Sequence, residues 1–157
     1  MKLSFTKMHG CGNNYIYFNC FDQTVPDPAS LSVRLSEPHF GIGGDGIILI
    51  SPSDKADAQM RIFNADGSEG KMCGNGIRCV GKYVYDNGMT DGRTTITVDT
   101  LSGVKTLELT VEDGKMVSAR VDMGAAILKP ADIPVDMEGD TVIGAPIVVD
   151  EKVYHMT

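Results

Sequence analysis

Residues 63–79 decide the fold, because one continuous stretch carries the end of a strand, a Gly-rich loop and the start of a helix. They read Phe63-Asn64-Ala65-Asp66-Gly67-Ser68-Glu69-Gly70-Lys71-Met72-Cys73-Gly74-Asn75-Gly76-Ile77-Arg78-Cys79. The first N–H groups of a helix have no intrahelical partners, and the helix dipole favours negative charge there. Thiols at such positions ionise more readily to the reactive thiolate. We therefore predict that Cys73 is a catalytic base or nucleophile.

Gly74, Asn75 and Gly76 follow this cysteine at the predicted helix start. Glycines let the backbone come close to a ligand, and helix-start N–H groups can face an anion such as a carboxylate. Position alone leaves two alternatives open. Cys73 could be an inert small hydrophobe, and Asn75 could be an ordinary turn residue.

Length and charge limit the function classes. The 157 residues suffice for one domain, or for a small domain and the start of another. The 14 basic and 21 acidic residues give a formal net charge of −7, which argues against a nucleic-acid partner. No apolar run is long enough for a membrane span, and the N-terminus lacks the apolar core of a signal peptide. A cytoplasmic location is the default expectation.

The cysteines are predicted to be reduced thiols rather than disulfides or metal ligands. Cys11, Cys20, Cys73 and Cys79 form no Cys-x-x-Cys pair, and the three histidines are scattered. A zinc site is therefore not expected.

The apolar periodicity predicts an α+β fold, in which a highly curved sheet or barrel surrounds one apolar helix. The helix is expected over 74–86, because Ile77, Val80 and Val84 share a face, and Asn87-Gly88 is a C-terminal stop signal. The other predicted elements are strands over 2–9, 14–19 and 57–63, a helix over 28–36, a β region from residue 94 with a hairpin turn at Asp113-Gly114, a connection over 124–141 and short strands over 142–156.

A literal G-x-G-x-x-G lies at Gly41-Ile42-Gly43-Gly44-Asp45-Gly46, but its context argues against a dinucleotide site. That fingerprint follows a strand and opens a helix, whereas here the β-like run Ile47-Ile48-Leu49-Ile50 comes next. We interpret the motif as a loop that leads into a buried strand.

Four stretches together resemble the diaminopimelate epimerase family: residues 5–13, the Gly-rich 41–46, 63–69 and 72–79. The resemblance implies a pyridoxal-phosphate-independent isomerase that interconverts LL- and meso-diaminopimelate in lysine and cell-wall precursor biosynthesis, with no cofactor. It implies a protein of two pseudo-symmetric halves with the active site between them. Each half would be a curved, barrel-like, mostly antiparallel sheet around one central helix.

The same resemblance assigns roles by matching position. Each half of such a protein contributes one cysteine, and the two act as acid and base on opposite faces of the substrate α-carbon. Cys73 would be the cysteine of the N-terminal half. Gly74 and Asn75 would hold the α-carboxylate, and Asn13 and Asn64 would contact the amino-acid groups of the substrate.

By this resemblance, we expect these 157 residues to be the N-terminal half of such a protein, with the second half absent from them. We expect residues 1–123 to form the N-terminal epimerase-like domain, and 124–157 to be a connection with the first strands of a second, truncated domain. The expected partners are the diaminopimelate substrate and the missing C-terminal half. A homodimer is a further possibility that the sequence leaves undecided. Cys79 cannot replace the second cysteine, because it lies about 9 Å further along the same helix. We therefore expect this chain alone to be inactive as an epimerase.

Other functions stay open beside this one. The nearest is an isomerase of the proline racemase type, although that group typically carries histidine where Asn75 stands. A non-catalytic amino-acid-binding module and a thiol redox module based on Cys73 are the others. Within the loop, Asp66 and Glu69 are expected to hold its shape and to balance Arg78 or Lys71.

Overall fold

The computed structural model describes residues 2–157, which fall into two compact units. The first unit ends at Met123 and contains the predicted site residues, and the second is Gly124–Thr157. The strands of the first unit are β1 (Thr6–Gly10), β2 (Asn13–Asn19), β3 (Gly46–Ser51), β4 (Ala58–Asn64), β5 (Glu69–Gly70), β6 (Thr95–Thr100), β7 (Gly103–Glu112) and β8 (Lys115–Val121). Its helices are α1 (Pro28–Ser36) and α2 (Gly74–Asp86).

The sheet of the first unit is mixed but mostly antiparallel. Its strands follow the order β1-β2-β3-β4-β6-β7-β8, and β5 pairs beside β4. The two parallel neighbours are β2 with β3 and β4 with β6. The chain segment that connects each parallel pair contains a helix, α1 between β2 and β3 and α2 between β4 and β6, as a parallel crossover requires.

Helix α2 lies inside the curve of this sheet. It contacts β1 and β8, the two ends of the strand order, as well as β2, β4 and β7 between them. Ile77, Val80 and Val84 are all buried in the larger apolar cluster. Gly81 permits close contact with β7, since a Cβ there would lie 2.8 Å from Leu107 Cδ2. The expected α+β fold, a curved sheet around one central helix, is confirmed.

A second apolar cluster covers the other face of β2 and β3. Ile16, Ile47 and Leu49 are buried in it, and Leu31 and Leu35 of α1 pack against it. Strands with helices on both faces are apolar on both faces. This explains the uninterrupted run Ile47-Ile48-Leu49-Ile50, and the expectation of a loop leading into a buried strand is confirmed.

The boundaries of α2 agree with the prediction of residues 74–86. Cys73 is its N-cap, and at the other end Asn87 Nδ2 donates to Tyr83 O at 2.8 Å. Gly88 follows with a φ of 72°, which glycine adopts without a Cβ penalty. The predicted hairpin at Asp113-Gly114 is also confirmed, with φ values of 49° and 73° that fit a type I′ turn.

Three local expectations were wrong or incomplete. The first strand begins at Thr6 rather than at residue 2. The short β5 was not predicted. Glu69, which lies in β5, pairs with neither Arg78 nor Lys71, but accepts two hydrogen bonds from Arg61 across the β4–β5 pairing, at 2.7 and 3.0 Å.

The second unit contains a short 3-10 turn at Pro130–Asp132 and a hairpin of β9 (Ala145–Val149) and β10 (Lys152–Met156). Asp150 and Glu151 form its turn with φ values of 48° and 62°. His155 Nδ1 lies 3.0 Å from Gly144 O, so a side-chain contact also holds the open end of the hairpin together. Residues 142–156 therefore hold short strands, as expected.

Candidate active site

Cys73 caps the N-terminus of α2 with its own side chain. Its backbone is extended, with φ −139° and ψ 109°, and Sγ accepts a hydrogen bond from Gly76 N at 3.2 Å. The thiol sulfur thus occupies the place that a serine or asparagine oxygen takes in most helix caps. The first intrahelical bond, from Ile77 N to Cys73 O at 2.9 Å, fixes the cysteine at the helix start.

Asn13 is the side chain that meets this thiol from the sheet. It begins β2, directly after the Cys11-Gly12 turn, and its Oδ1 accepts from Cys73 Sγ at 3.2 Å. Its Nδ2 donates to Asp45 Oδ2 at 2.9 Å. The structure therefore brings together two predicted site residues that are 60 positions apart in the sequence.

Tyr15 lies two residues further along β2 and is also next to the thiol. Its side chain is 6% exposed, and burial, followed by the proximity of Cys73, raises the pKa of Tyr15. The raised pKa keeps Tyr15 a neutral phenol, which can donate a hydrogen bond toward the sulfur.

Arg78 holds the two residues that follow Cys73. Its Nε donates to Gly74 O at 3.2 Å, and its Nη2 donates to Asn75 Oδ1. Because a guanidinium only donates, Asn75 turns its oxygen to Arg78 and keeps its Nδ2 hydrogens for other partners. The same Nη2 donates to Cys11 Sγ at 3.6 Å.

The surface beside Gly74 is open, whereas the surface beside Asn75 is covered. A Cβ on Gly74 would meet no atom nearer than Met123 Cε at 4.0 Å. A Cβ on Gly10, by contrast, would lie 2.8 Å from Asn75 O, so β1 packs tightly on the helix start. The N–H groups of Gly74 and Asn75, at the first two helical positions, can therefore meet an anion from the side of Gly74.

Asn64 lies at the end of β4 and is occupied within its own loop. Its Nδ2 donates to Ser68 Oγ at 3.0 Å, and its backbone N donates to Ser68 O at 2.8 Å. Asp66 accepts from both Ser68 N and Ser68 Oγ, which lowers the pKa of Asp66 and holds the loop as expected. The link from this loop to Asn13 runs through Asp45, whose carbonyl accepts from Ala65 N at 3.1 Å.

Of the remaining cysteines, Cys11 reaches this arrangement through Arg78, whereas Cys79 and Cys20 are packed in the apolar clusters. Cys79 is buried beside Tyr17, and burial raises the pKa of Cys79. Cys20 packs against the second apolar cluster, and burial raises its pKa too. Cys11 is exposed in the β1–β2 turn with a φ of 54°.

Neither a metal centre nor a membrane helix stands out in the described part of the chain. Across residues 2–157, no group of three or more His, Cys, Asp or Glu side chains is arranged to hold a metal ion. No helix within the same residues is long and apolar enough to cross a bilayer. Two surface depressions, of about 380 and 550 Å³, lie away from Cys73, the first bounded by Leu3, Pro26 and α1 residues and the second by β4 and β6 residues. The thiol and its helix start therefore stand out by their chemistry and not as the largest cavity.

Sequence reasoning missed Tyr15 and Asp45 and gave Arg78 the wrong partner. Two of these have a local signal. Tyr15 lies at i+2 from Asn13, hence on the same face of β2, and Arg78 lies at i+3 from Asn75, hence beside it on α2. Asp45 is the charged residue of the Gly41–Gly46 loop, but its partner is 32 residues away in the chain and carries no sequence signal.

The fold occurs in known isomerases. A methylitaconate-delta-isomerase structure matches 97% of this chain and 39% of its own, with a TM-score of 0.60 and 18% sequence identity. A hydroxyproline epimerase from Agrobacterium vitis matches 74% of this chain and 40% of its own, with a TM-score of 0.56 and 19% identity. At such low identity the likeness concerns the fold alone.

Sequence comparison gives the family. The family model for diaminopimelate epimerase matches residues 5–129. Over 155 residues, 99% of this chain, the diaminopimelate epimerase of Acetivibrio thermocellus is 54% identical, and that of Agathobacter rectalis is 55% identical over 162. The chain belongs to the diaminopimelate epimerase family. It spans about half the length of these relatives, 55% and 56% respectively.

Proposed function

We propose that the protein to which this chain belongs is a cofactor-independent epimerase that interconverts LL- and meso-diaminopimelate by acid/base proton transfer. Cys73 would exchange a proton with the substrate α-carbon on one face. Its contact with Asn13 Oδ1 and Gly76 N at the start of α2 is the observation that supports this role most directly. The N–H donor of Gly76 favours the thiolate, and the Asn13 acceptor favours the thiol, so both forms that an acid/base group needs have a partner.

The substrate α-carboxylate would bind beside Gly74. The N–H groups at the first helical positions and the dipole of α2 favour an anion there, and the glycine leaves room for it. Asn75, oriented by Arg78, would add its Nδ2 donors. Asn13 and Asn64 would contact the polar groups on the substrate α-carbon; the bond to Ser68 uses one Nδ2 hydrogen of Asn64 and leaves its Oδ1 and second hydrogen for the substrate.

Epimerisation needs a second acid/base group on the opposite face of the same carbon. When the Cys73 thiolate removes the α-proton, the opposing group must deliver a different proton to the other face, and the roles reverse in the return direction. Cys79 is buried and Cys20 packs in the second cluster, so neither can oppose Cys73. Cys11 is exposed, but it lies in the β1–β2 turn and has no helix start of its own to support a thiolate. We propose that the opposing group comes from a C-terminal half outside these residues, and that the 157-residue chain alone gives no turnover.

A fusion protein tests this proposal. The chain is joined to the part of the Acetivibrio thermocellus diaminopimelate epimerase that follows the region matched by this chain, and LL-to-meso conversion is measured by chiral chromatography. We expect activity from the fusion and none from the 157-residue chain. Cys73→Ala in the fusion should lower kcat by at least about 100-fold, the usual scale for losing an acid/base group.

Cys20→Ser is the matched control, because Cys20 packs in the second cluster and should leave kcat unchanged. Turnover by the 157-residue chain, or a folded Cys73→Ala fusion with undiminished kcat, would contradict the proposal.

A further inference from the structure

We propose that Asp45 is a positioning residue that fixes the orientation of the Asn13 amide and, through it, the proton of the Cys73 thiol. This inference rests on the proposed acid/base role of Cys73. It also gives a purpose to the Gly41–Gly46 loop, which resembles a nucleotide fingerprint but leads into a strand.

The loop is built to place the Asp45 carboxylate among the segments that form the site. Asp45 N donates to Asn14 O at 2.7 Å, and Asp45 O accepts from Ala65 N at 3.1 Å, so its backbone joins the start of β2 to the end of β4. Glycines on both sides make this approach possible. A Cβ on Gly44 would lie 3.2 Å from Asn14 Oδ1, and one on Gly46 would overlap Phe63 O at 2.1 Å.

The Asp45 carboxylate meets only donors at the start of β2. Its Oδ2 accepts from Asn13 Nδ2 at 2.9 Å, from Asn14 N at 2.7 Å and from Asn14 Nδ2 at 3.5 Å. An ionised carboxylate only accepts, so Asn13 must turn its amide nitrogen toward Asp45. Its oxygen is then forced to the opposite side, where Cys73 Sγ lies at 3.2 Å.

The orientation of Asn13 decides which form of the thiol is favoured. With Oδ1 toward the sulfur, Asn13 accepts the S–H proton and stabilises the thiol. With the amide reversed, Nδ2 would donate to the sulfur and stabilise the thiolate instead. Asp45 excludes the reversed orientation, and so holds Cys73 as a proton donor until a ligand disturbs the pair.

Other ionisable groups around the thiol come from several elements. Tyr15 and Tyr17 on β2 and Cys79 on α2 interact electrostatically with Cys73. Arg78 on α2 is turned toward Asn75 and Cys11, and on β1 the His9 Nδ1 accepts from Gly12 N at 3.4 Å. These groups are the same in all the variants below, so they cancel in the comparison.

The experiment measures the alkylation of Cys73 in the 157-residue chain and needs no turnover. The rate of iodoacetamide modification is followed from pH 5 to 10, with each cysteine resolved by peptide mass spectrometry. Asp45→Asn removes the charge that forces the amide orientation. We expect Cys73 to react about 2- to 10-fold faster at pH 7, the range for losing one net hydrogen bond, with the midpoint of the pH profile moved to lower pH. The rate at buried Cys79 reports loosening of the fold and should not change.

A mutant cycle separates an effect through Asn13 from the direct effect of the Asp45 charge. In an Asn13→Ala background, Asp45→Asn should change the Cys73 rate much less than it does with Asn13 present. An equal change in both backgrounds, or no change in either, would overturn the proposal.

The exchanged pair Asn13→Asp with Asp45→Asn covers the case in which Asp45→Asn alone does not fold. It restores one amide and one carboxylate but places the carboxylate against the sulfur, which favours the thiol. We expect this double variant to fold and to react more slowly than the wild type at pH 7, opposite in direction to Asp45→Asn. Failure to fold, or faster alkylation, would refute the pairing. A failure of the proposed function would appear differently, as a Cys73→Ala fusion that keeps its LL-to-meso activity. The alkylation assay does not use that fusion, so the two failures can be distinguished.

Discussion

Gly10, at the end of β1, and Gly74, the first residue of α2, both lie at the α2 start but differ in what surrounds them. A Cβ on Gly10 would lie 2.8 Å from the backbone oxygen of Asn75, which cannot rotate away. A Cβ on Gly74 would meet only the end of the Met123 side chain, at 4.0 Å. The first glycine is therefore required by packing, while the second leaves open the place proposed for the substrate carboxylate.

Alanine at each position separates these roles. Gly10→Ala must push β1 away from α2, and overpacking of this kind lowers the free energy of unfolding by about 1–3 kcal/mol. Gly74→Ala should leave that free energy unchanged or slightly higher, because alanine is favoured over glycine in helices. In the fusion protein, however, Gly74→Ala should raise KM. Urea unfolding and steady-state kinetics measure the two effects, and a stable Gly10→Ala variant would contradict the packing argument.

At the scale of the elements, Asp57 secures the parallel junction between β4 and β6. The junction is short, with Ala58 opposite Val98 and Gln59 opposite Asp99. Asp57 accepts from Arg93 Nη2 at 2.6 Å, from Thr97 N at 2.7 Å and from Thr97 Oγ1 at 3.0 Å. The Arg93 bond, and after it the bonds from Thr97, lowers the pKa of Asp57.

The stability of this junction should therefore depend on pH. The folded-state pKa of Asp57 lies below the unfolded value of about 3.9, so its contribution is complete above that pH and is lost as the pH falls below it. Asp57→Asn should lower the free energy of unfolding at pH 7 by about 1–3 kcal/mol. The difference from the wild type should shrink below about pH 3.

Urea unfolding across this pH range measures the effect. Glu108→Gln is the control, since Glu108 and Arg120 form an ion pair in which both side chains are exposed. This substitution should change the free energy of unfolding little at any pH. A difference between Asp57→Asn and the wild type that stays constant down to pH 2 would exclude the carboxylate as its source.

How much of the structure the sequence could predict depended on how far apart in the chain the interacting residues lie. The limits of α2 follow from Ile77, Val80 and Val84 and from the Asn87 stop, all within a few turns of helix. The contact of Asp45 with Asn13 and the parallel pairing of Ala58 with Val98 depend on where distant segments meet, which local patterns do not encode. The position of Cys73 at the start of α2 was predictable, because a helix start is a local feature. Its contact with Asn13 was not, because the fold of the sheet brings together two residues that are 60 positions apart in the sequence.

At the scale of the whole molecule, both apolar clusters are formed entirely by residues of the first unit. All members of the cluster around α2 and of the cluster beneath α1 lie before residue 124. The second unit, Gly124–Thr157, exposes much of its hairpin, including Val148, Val153 and Tyr154. A chain that ends at Met123 should therefore keep the folded core on its own.

We expect residues 1–123 to unfold in one cooperative transition with a Tm within a few degrees of that of the 157-residue chain, because the buried apolar surface of both clusters is retained. Circular dichroism measures the transition, and amide NMR spectra of the two chains should overlay for the residues of α2 and of β1–β8. Limited proteolysis of the 157-residue chain should cut first within 124–144, where the strands are absent. A shortened chain without a cooperative transition would mean that Gly124–Thr157 contributes to folding of the core, and the part that carries Cys73 would then not be an independent folding unit.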